Sequence, residues 1–209
     1  GYELSKRMMS QTSESYRAVN DYKQAALDVK KLDELDKYAP LAVDVSIQKE
    51  ASVVSIYQKG IQYGLTLHEV FPVLSHFGFR VVSEQFFEET LNRESYHISR
   101  YYCVLDEGLA QTCNDGCAIE AALLLVLQKH ATDDRLNVLV SYTCMDLSSI
   151  NIIRAYIEYM HQIGFELTKS RIIEFITRSV SFATLFIKAF NVRFQPNLLK
   201  RDRLFKQYS

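Results

Sequence analysis

The stretch that most constrains the fold is Ala51–Leu105, where the spacing of apolar residues changes period twice. Ser52–Gln58 (SVVSIYQ) reads as a strand rich in β-branched residues. In Leu65–Phe77 (LTLHEVFPVLSHF), Val70, Val73, Leu74 and Phe77 fall on one helical face. Phe79–Glu84 (FRVVSE) and Tyr96–Leu105 (YHISRYYCVL) return to strand character. A helix with one apolar stripe must cover something, and the strands around it form a sheet that it can cover. The expectation is an α+β chain in which this helix packs on an antiparallel sheet.

Local signals sharpen that expectation. Gly60 and Gly64 allow positive φ at a tight turn before the helix. Thr66 stands three residues before Glu69, the spacing of a capping box. Pro72 lies too deep for a first-turn proline, which predicts a kink, and Gly78 is a natural residue just past the end. Gln85–Ser95 is acidic and reads as a hairpin with an irregular, exposed tip. On the last strand Tyr96, Ile98, Arg100 and Tyr102 share one face, opposite His97, Ser99, Tyr101 and Cys103.

On the N-terminal side, residues 1–15 are polar and weakly patterned, a frayed lead-in. Ser15–Lys37 then reads as one helix through Tyr22, Ala25, Ala26, Val29, Leu32 and Leu35, closed by Pro40, and Leu41–Ile47 as a short strand. Beyond Asp106 only helices are expected. Asp115 caps Cys117–His130, whose run Ile119–Leu127 (IEAALLLVL) is too short to span a bilayer and must be buried in protein. Asp133–Thr143 follows. Asp146 caps Leu147–Ile163, with Ile150, Ile153, Ile157 and Met160 as a core stripe and Gly164 as the stop. Thr168 opens Lys169–Arg178, Ser181 opens Phe182–Asn191, and beyond Pro196 another helix starts at Leu198. Successive short antiparallel helices make a bundle, in which Ile119–Leu127, including Leu124, should pack on the Ile150–Met160 stripe. The chain divides into a helical lead-in (1–38), an α/β module (39–108) and a helical segment (109–209).

Chemistry is what the sequence lacks. A net charge of -1 gives no field to hold nucleic acid or an anionic membrane. The cluster Lys200, Arg201, Arg203 and Lys206 is interrupted by Asp202 and suits a solvated helix face. Cys113 and Cys117 have the spacing of neither a zinc knuckle nor a redox motif, so four reduced thiols in the cytoplasm are the default. His68 and Glu69 diverge by about 100° on a helix. His76 and His97 could meet across the helix–sheet interface, more simply as structure than as a site. Asp133-Asp134, Ser148-Ser149 and Ser179–Ser181 are helix-boundary residues. No GxSxG, Walker A or GxGxxG motif occurs. The turn Gly60–Gly64 is the one place where backbone amides could hold a small ligand, though a tight structural turn is the better reading. Catalytic, cofactor-binding and metal-ligating residues: none are assigned.

Four runs carry a family resemblance. Leu65–Glu84 (LTLHEVFPVLSHFGFRVVSE), Asp133–Val140 (DDRLNVLV), Ile153–Phe165 (IRAYIEYMHQIGF) and Lys188–Asn197 (KAFNVRFQPN) occur in the order and style of the large bacterial NAD-specific glutamate dehydrogenases. Tyr16–Leu35 resembles the helical lead-in to the same region, so the resemblance spans about Tyr16 to Asn197. It implies an ACT-like module, ferredoxin-like in plan, followed by the helical segment that precedes the catalytic domain. A second helix and fourth strand are not plain after Leu105, so the module is expected to be incomplete. By the same resemblance the parent enzyme oxidises L-glutamate to 2-oxoglutarate and ammonia with NAD, in the cytoplasm, as a homo-oligomer. The family's catalytic lysines and dinucleotide fingerprint lie downstream of this region. The segment itself is then non-catalytic and regulatory or assembly-forming, its partners being its own catalytic domain, other subunits and an amino-acid effector. The first G and charged last residues suit a piece of something longer. The alternatives are an effector-binding role for Gly60–Gly64 or a stand-alone helical interaction module.

Overall fold

A computed structural model describes residues 10, 12–36, 38–47, 52–60, 64–91, 93–105 and 116–194. Among the described residues the helices Glu14–Val19 (α1) and Tyr22–Asp33 (α2) replace the single helix expected over Ser15–Lys37. The break falls at Asn20, whose backbone is extended, and Asp21, whose carboxylate accepts from the Gln24 N–H at 2.8 Å and caps α2. An Asx cap inside an apolar repeat restarts the helix on a new axis.

The sheet consists of β1 (Leu41–Ser46), β2 (Ser52–Lys59), β3 (Phe79–Leu91) and β4 (Glu94–Leu105), in the order β1-β2-β4-β3 with every pair antiparallel. Helix α3 (Leu67–His76) joins β2 to β3, and β4 lies between them, which is a split βαβ arrangement. α3 starts from the Thr66–Glu69 capping box and runs on through Pro72 to Gly78, whose φ of 83° ends it. Helix α4 (Gly116–Leu127) lies beside α3. In a βαββαβ unit a strand after α4 would lie next to β2. Here β1, from before the unit, occupies that edge.

The outer edge of β1 is closed by side chains. Lys31 Nζ donates to the Val43 carbonyl at 3.0 Å, and Glu120 Oε1 accepts from the Val45 N–H at 2.9 Å. Gly116 brings α4 so close that a Cβ there would lie 2.6 Å from the Val45 carbonyl oxygen. Such plugs blunt a strand that would otherwise pair with another chain.

The hairpin β3–β4 corrects the irregular tip expected for Gln85–Ser95. The ladder continues to Leu91↔Glu94, and Arg93, at φ 69°, turns the corner. A bulge between Val81 and Ser83 decides which residues of β3 face inward. Phe79 and Val81 face α3, but beyond the extra residue Ser83, Gln85, Phe87 and Glu89 face the lead-in helices instead. One inserted residue reverses a period-two pattern, which the acidic composition had hidden.

Both faces of the sheet are covered. Val43, Val45, Val54, Ile56, Tyr101 and Cys103 face α3, α4 and the helical segment; Ala42, Tyr57, Phe87, Tyr96 and Ile98 face α1 and α2. The helical segment follows with a 3-10 turn (Arg135–Asn137), α5 (Val138–Thr143), α6 (Leu147–Gln162), α7 (Lys169–Arg178) and α8 (Val180–Phe194). The single helix expected over Asp133–Thr143 is thus a 3-10 turn running into a short α-helix, because Asp134 caps later than expected by accepting from Leu136 N–H at 2.9 Å. Asp146 and Thr168 cap α6 and α7 as predicted, and α8 extends past the predicted Phe182–Asn191 at both ends. Ile119, Leu123 and Val126 of α4 share one core with Ile150, Ile153 and Ile157 of α6, with Leu139 and Val140 of α5 in the same cluster. Leu124 is only partly buried; Leu123 is the fully buried position. The predicted Asp115 cap and the helix from Leu198 lie outside the described residues.

Candidate functional site

The densest polar construction lies between the lead-in helices and the sheet. Asp28 of α2 is fully buried and Arg100 of β4 nearly so. Arg100 Nη2 donates to both Asp28 oxygens at 3.1 and 2.9 Å, and Nη1 donates to Asn20 Oδ1 at 2.5 Å. The same carboxylate accepts from Tyr16 OH at 2.5 Å, Tyr57 OH at 2.8 Å and Gln24 Nε2 at 2.9 Å. Phe87, delivered by the bulge, lies 5.8 Å from the guanidinium and meets the Tyr16 ring edge-on at 5.2 Å. Next to it the buried Glu89 accepts from the Ser13 N–H at 2.8 Å and the Ser13 hydroxyl at 2.5 Å.

Electrostatics fix the protonation of this cluster. Burial and then the Asp28 carboxylate push the Tyr16 and Tyr57 hydroxyls far above the ordinary tyrosine value, so both remain donors. Burial works against the Arg100 cation, and the Asp28 charge outweighs it, which raises its pKa. Asp28 therefore receives a full set of donors and holds no free lone pair aimed at a ligand. The arrangement locks two layers together. Arg100 lies on the expected face of β4, with Tyr96 and Ile98, and its pairing with Asp28 was not anticipated. The signal was present: Asp28 interrupts the α2 stripe of Ala25 and Leu32, and Arg100 interrupts the β4 stripe of Tyr96 and Ile98.

The glycine turn is crowded by the protein's own groups. Gln58 Oε1 accepts from the Leu65 N–H at 3.0 Å. A Cβ on Gly64 would lie 3.1 Å from that oxygen and 3.2 Å from His97 Nδ1, so glycine is needed there for close approach. Gly60 has φ 66° and donates its N–H to Ser95 at 2.9 Å; residues 61–63 lie outside the described residues.

His76 and His97 do not meet. His97 lies against Phe86, with Nε2 3.7 Å from Glu88. His76 Nδ1 is 2.8 Å from Asp133, which ties the end of α3 to the helical segment. Glu69 is occupied in its capping box, away from His68. Asp133 and Asp134 divide their roles: Asp134 also receives Arg154 through Nε at 2.8 Å and Nη2 at 3.0 Å. Beside them a hollow of about 350 Å3 is walled by Ser75, His76, Arg135, Tyr142, Glu174 and Arg178. It receives the C-terminal ends of α3 and α7, where basic side chains are favoured by the helix dipole, and Arg178 already pairs with Glu174 at 3.0 Å.

Burial pushes the Cys103 thiol up to about 12, which makes it unreactive. Cys144 is disulfide-bonded, so the expectation of four reduced thiols is corrected. Among the described residues no three His, Cys, Asp or Glu side chains converge as a metal site, and no helix is long and apolar enough to cross a membrane.

Comparison with known proteins bears on the same regions. Residues 131–196 match a family model described as glutamate dehydrogenase, helical motif 3. Over 188 residues, 87% of this chain, the sequence is 26% identical to an NAD-specific glutamate dehydrogenase of Halomonas elongata. The chain spans 12% of that relative's length. Together these matches support a relationship to glutamate dehydrogenases that reaches from the sheet into the helical segment.

Proposed function

We propose that this chain is a non-catalytic regulatory or assembly segment of a large NAD-dependent glutamate dehydrogenase. The match of residues 131–196 to a helical motif of glutamate dehydrogenase carries the reading. Residues 39–108 serve in it as an ACT-like module and residues 109–209 as the helical segment leading to the catalytic part, with residues 1–38 as a lead-in. The buried polar groups support a structural role, since Asp28, Arg100 and Glu89 are engaged in pairing layers. NAD would be held by the parent enzyme's catalytic part, and no Gly-rich dinucleotide motif occurs within these residues. The partners on this reading are the catalytic domain of the same chain and other subunits.

The test joins this sequence to the polypeptide that continues it in the gene and measures glutamate-dependent reduction of NAD. Activity in the extended protein, absent from the 209-residue chain, is expected. A folded, oligomeric extended protein with no such activity would sink the assignment.

A further inference from the structure

Four elements meet around the hollow of about 350 Å3 that lies between the α/β module and the helical segment. The end of α3 supplies Ser75 and His76, and the 3-10 turn supplies Arg135. Tyr142 comes from α5, and Glu174 and Arg178 come from the C-terminal half of α7. A concave space of this size, formed where two layers join, suits a small molecule.

The charges on its walls form two poles. α3 and α7 both end at the hollow, and the last carbonyls of a helix lack partners within it, so each end is partly negative. Glu174 adds a full negative charge. Arg178, in the last turn of α7, answers that dipole and pairs with Glu174 Oε1 at 3.0 Å. Arg135 is the opposite pole. It opens the 3-10 turn that runs into α5, and so sits at a positive helix end, where a cation is disfavoured. The nearby carboxylates are taken, Asp134 by Arg154 and Asp133 by His76. Among the described residues Arg135 has no hydrogen-bond or ion-pair partner. Neither a dipole nor an ion pair accounts for an arginine on this wall.

A simple anion in the hollow would be opposed by the helix ends, and a simple cation by Arg135. A ligand that carries both charges escapes both penalties. We infer that the hollow binds a free α-amino acid, with its carboxylate on Arg135 and its ammonium on Glu174 and the carbonyls that end α3 and α7. A guanidinium takes a carboxylate through two parallel N–H donors, which fixes the orientation of the ligand. Val138 and Tyr142 give the α5 wall an apolar part for the side chain. Occupancy would tie α3 to the 3-10 turn and α7, where His76 and Asp133 already join the two layers at 2.8 Å. The inference concerns the 209-residue chain itself and stands or falls apart from the proposed parent activity.

Isothermal titration calorimetry of this chain with each proteinogenic amino acid, at up to about 10 mM, tests it. At least one should bind and should raise the unfolding temperature. For that amino acid, the analogue without the amino group and the analogue without the carboxylate should each bind at least about tenfold more weakly. Arg135→Ala should weaken binding at least about tenfold, Arg135→Lys less so, and Glu174→Gln should weaken it as well. Arg135 and Glu174 are exposed, so without ligand these variants should unfold at the wild-type temperature. A flat response to every amino acid would overturn the inference. So would binding that Arg135→Ala and Glu174→Gln leave unchanged, because the ligand would then sit elsewhere. Equal affinity for the acid lacking its amino group would make the hollow a plain anion site and overturn it too.

Discussion

The two faces of the sheet are built on different chemistry. Toward α3, α4 and the helical segment the core is apolar: Val54, Ile56, Leu74, Phe77, Leu123 and Ile150 pack without an ion pair among them. Toward α1 and α2 the apolar cluster around Tyr57, Phe87 and Ile98 surrounds a buried Asp28–Arg100 pair. An apolar interface gains stability in proportion to the area covered and tolerates small shifts. A buried ion pair gains little net stability but penalises any register that separates its partners. The comparison teaches that the lead-in helices are held to one position on the sheet, whereas the helical segment is held mainly by packing.

The largest effect expected from this difference is at Asp28. Asp28→Ala leaves the Arg100 cation buried without its partner and should lower unfolding free energy by about 3–5 kcal/mol in urea titration. Replacing both groups, Asp28→Leu with Arg100→Met, should recover most of that loss. A single substitution costing under about 1 kcal/mol would mean that water reaches Arg100 and the face is not sealed.

On the apolar face the matching probe is Leu123→Ala, expected to cost about 2–5 kcal/mol by the same measurement. Leu124→Ala, one residue on and only partly buried, should cost distinctly less. Equal losses at the two positions would put α4 in a different rotation and undo the shared core.

Which parts of this structure were legible in the sequence follows from how local their causes are. The Thr66–Glu69 box, the Asp146 and Thr168 caps, and the Gly78 and Gly164 stops each act within four residues, and the structure shows them where they were expected. The break at Asn20-Asp21 was also local but lay inside a continuing apolar repeat that concealed it. The bulge after Val81 could not be read, because whether Phe87 or Phe86 faces inward depends on the register with β4. The Asp28–Arg100 pair joins residues 72 apart in sequence, and only the antiparallel order of the sheet brings them together. Likewise β1 completes the sheet from before the unit, where a search after Leu105 could not find it.

Capping gives a smaller, local test of the packed side. The Asp146 carboxylate accepts from the Ser149 N–H at 2.9 Å, and hydrogen bonding from Ser149 holds its pKa below the ordinary aspartate value. Asp146→Ala should therefore cost about 1 kcal/mol at neutral pH. Because the folded pKa is lowered, that contribution is present above the ordinary aspartate value and lost as pH falls through the folded one. A cost that does not shrink in acid would mean that the carboxylate does not act as the cap.

Asp44, on the β1 side facing α2, carries the opposite sign and the smallest effect. Burial, then the nearby Glu120 charge, raises its pKa, and Lys31 at 3.8 Å only partly offsets them. The folded state then holds the proton more tightly than the unfolded one. Stability contributed at this position falls as pH rises from the ordinary aspartate value through the raised folded value, and stays low above it. Asp44→Asn keeps the shape and removes the titration. It should be neutral in acid and stabilising at pH 7 by less than about 1 kcal/mol, since the side chain is still 37% exposed to solvent. A stability curve for Asp44→Asn that stays parallel to wild type across this window would show that Lys31 fully compensates the carboxylate, and that the charged plug on the β1 edge costs the fold nothing.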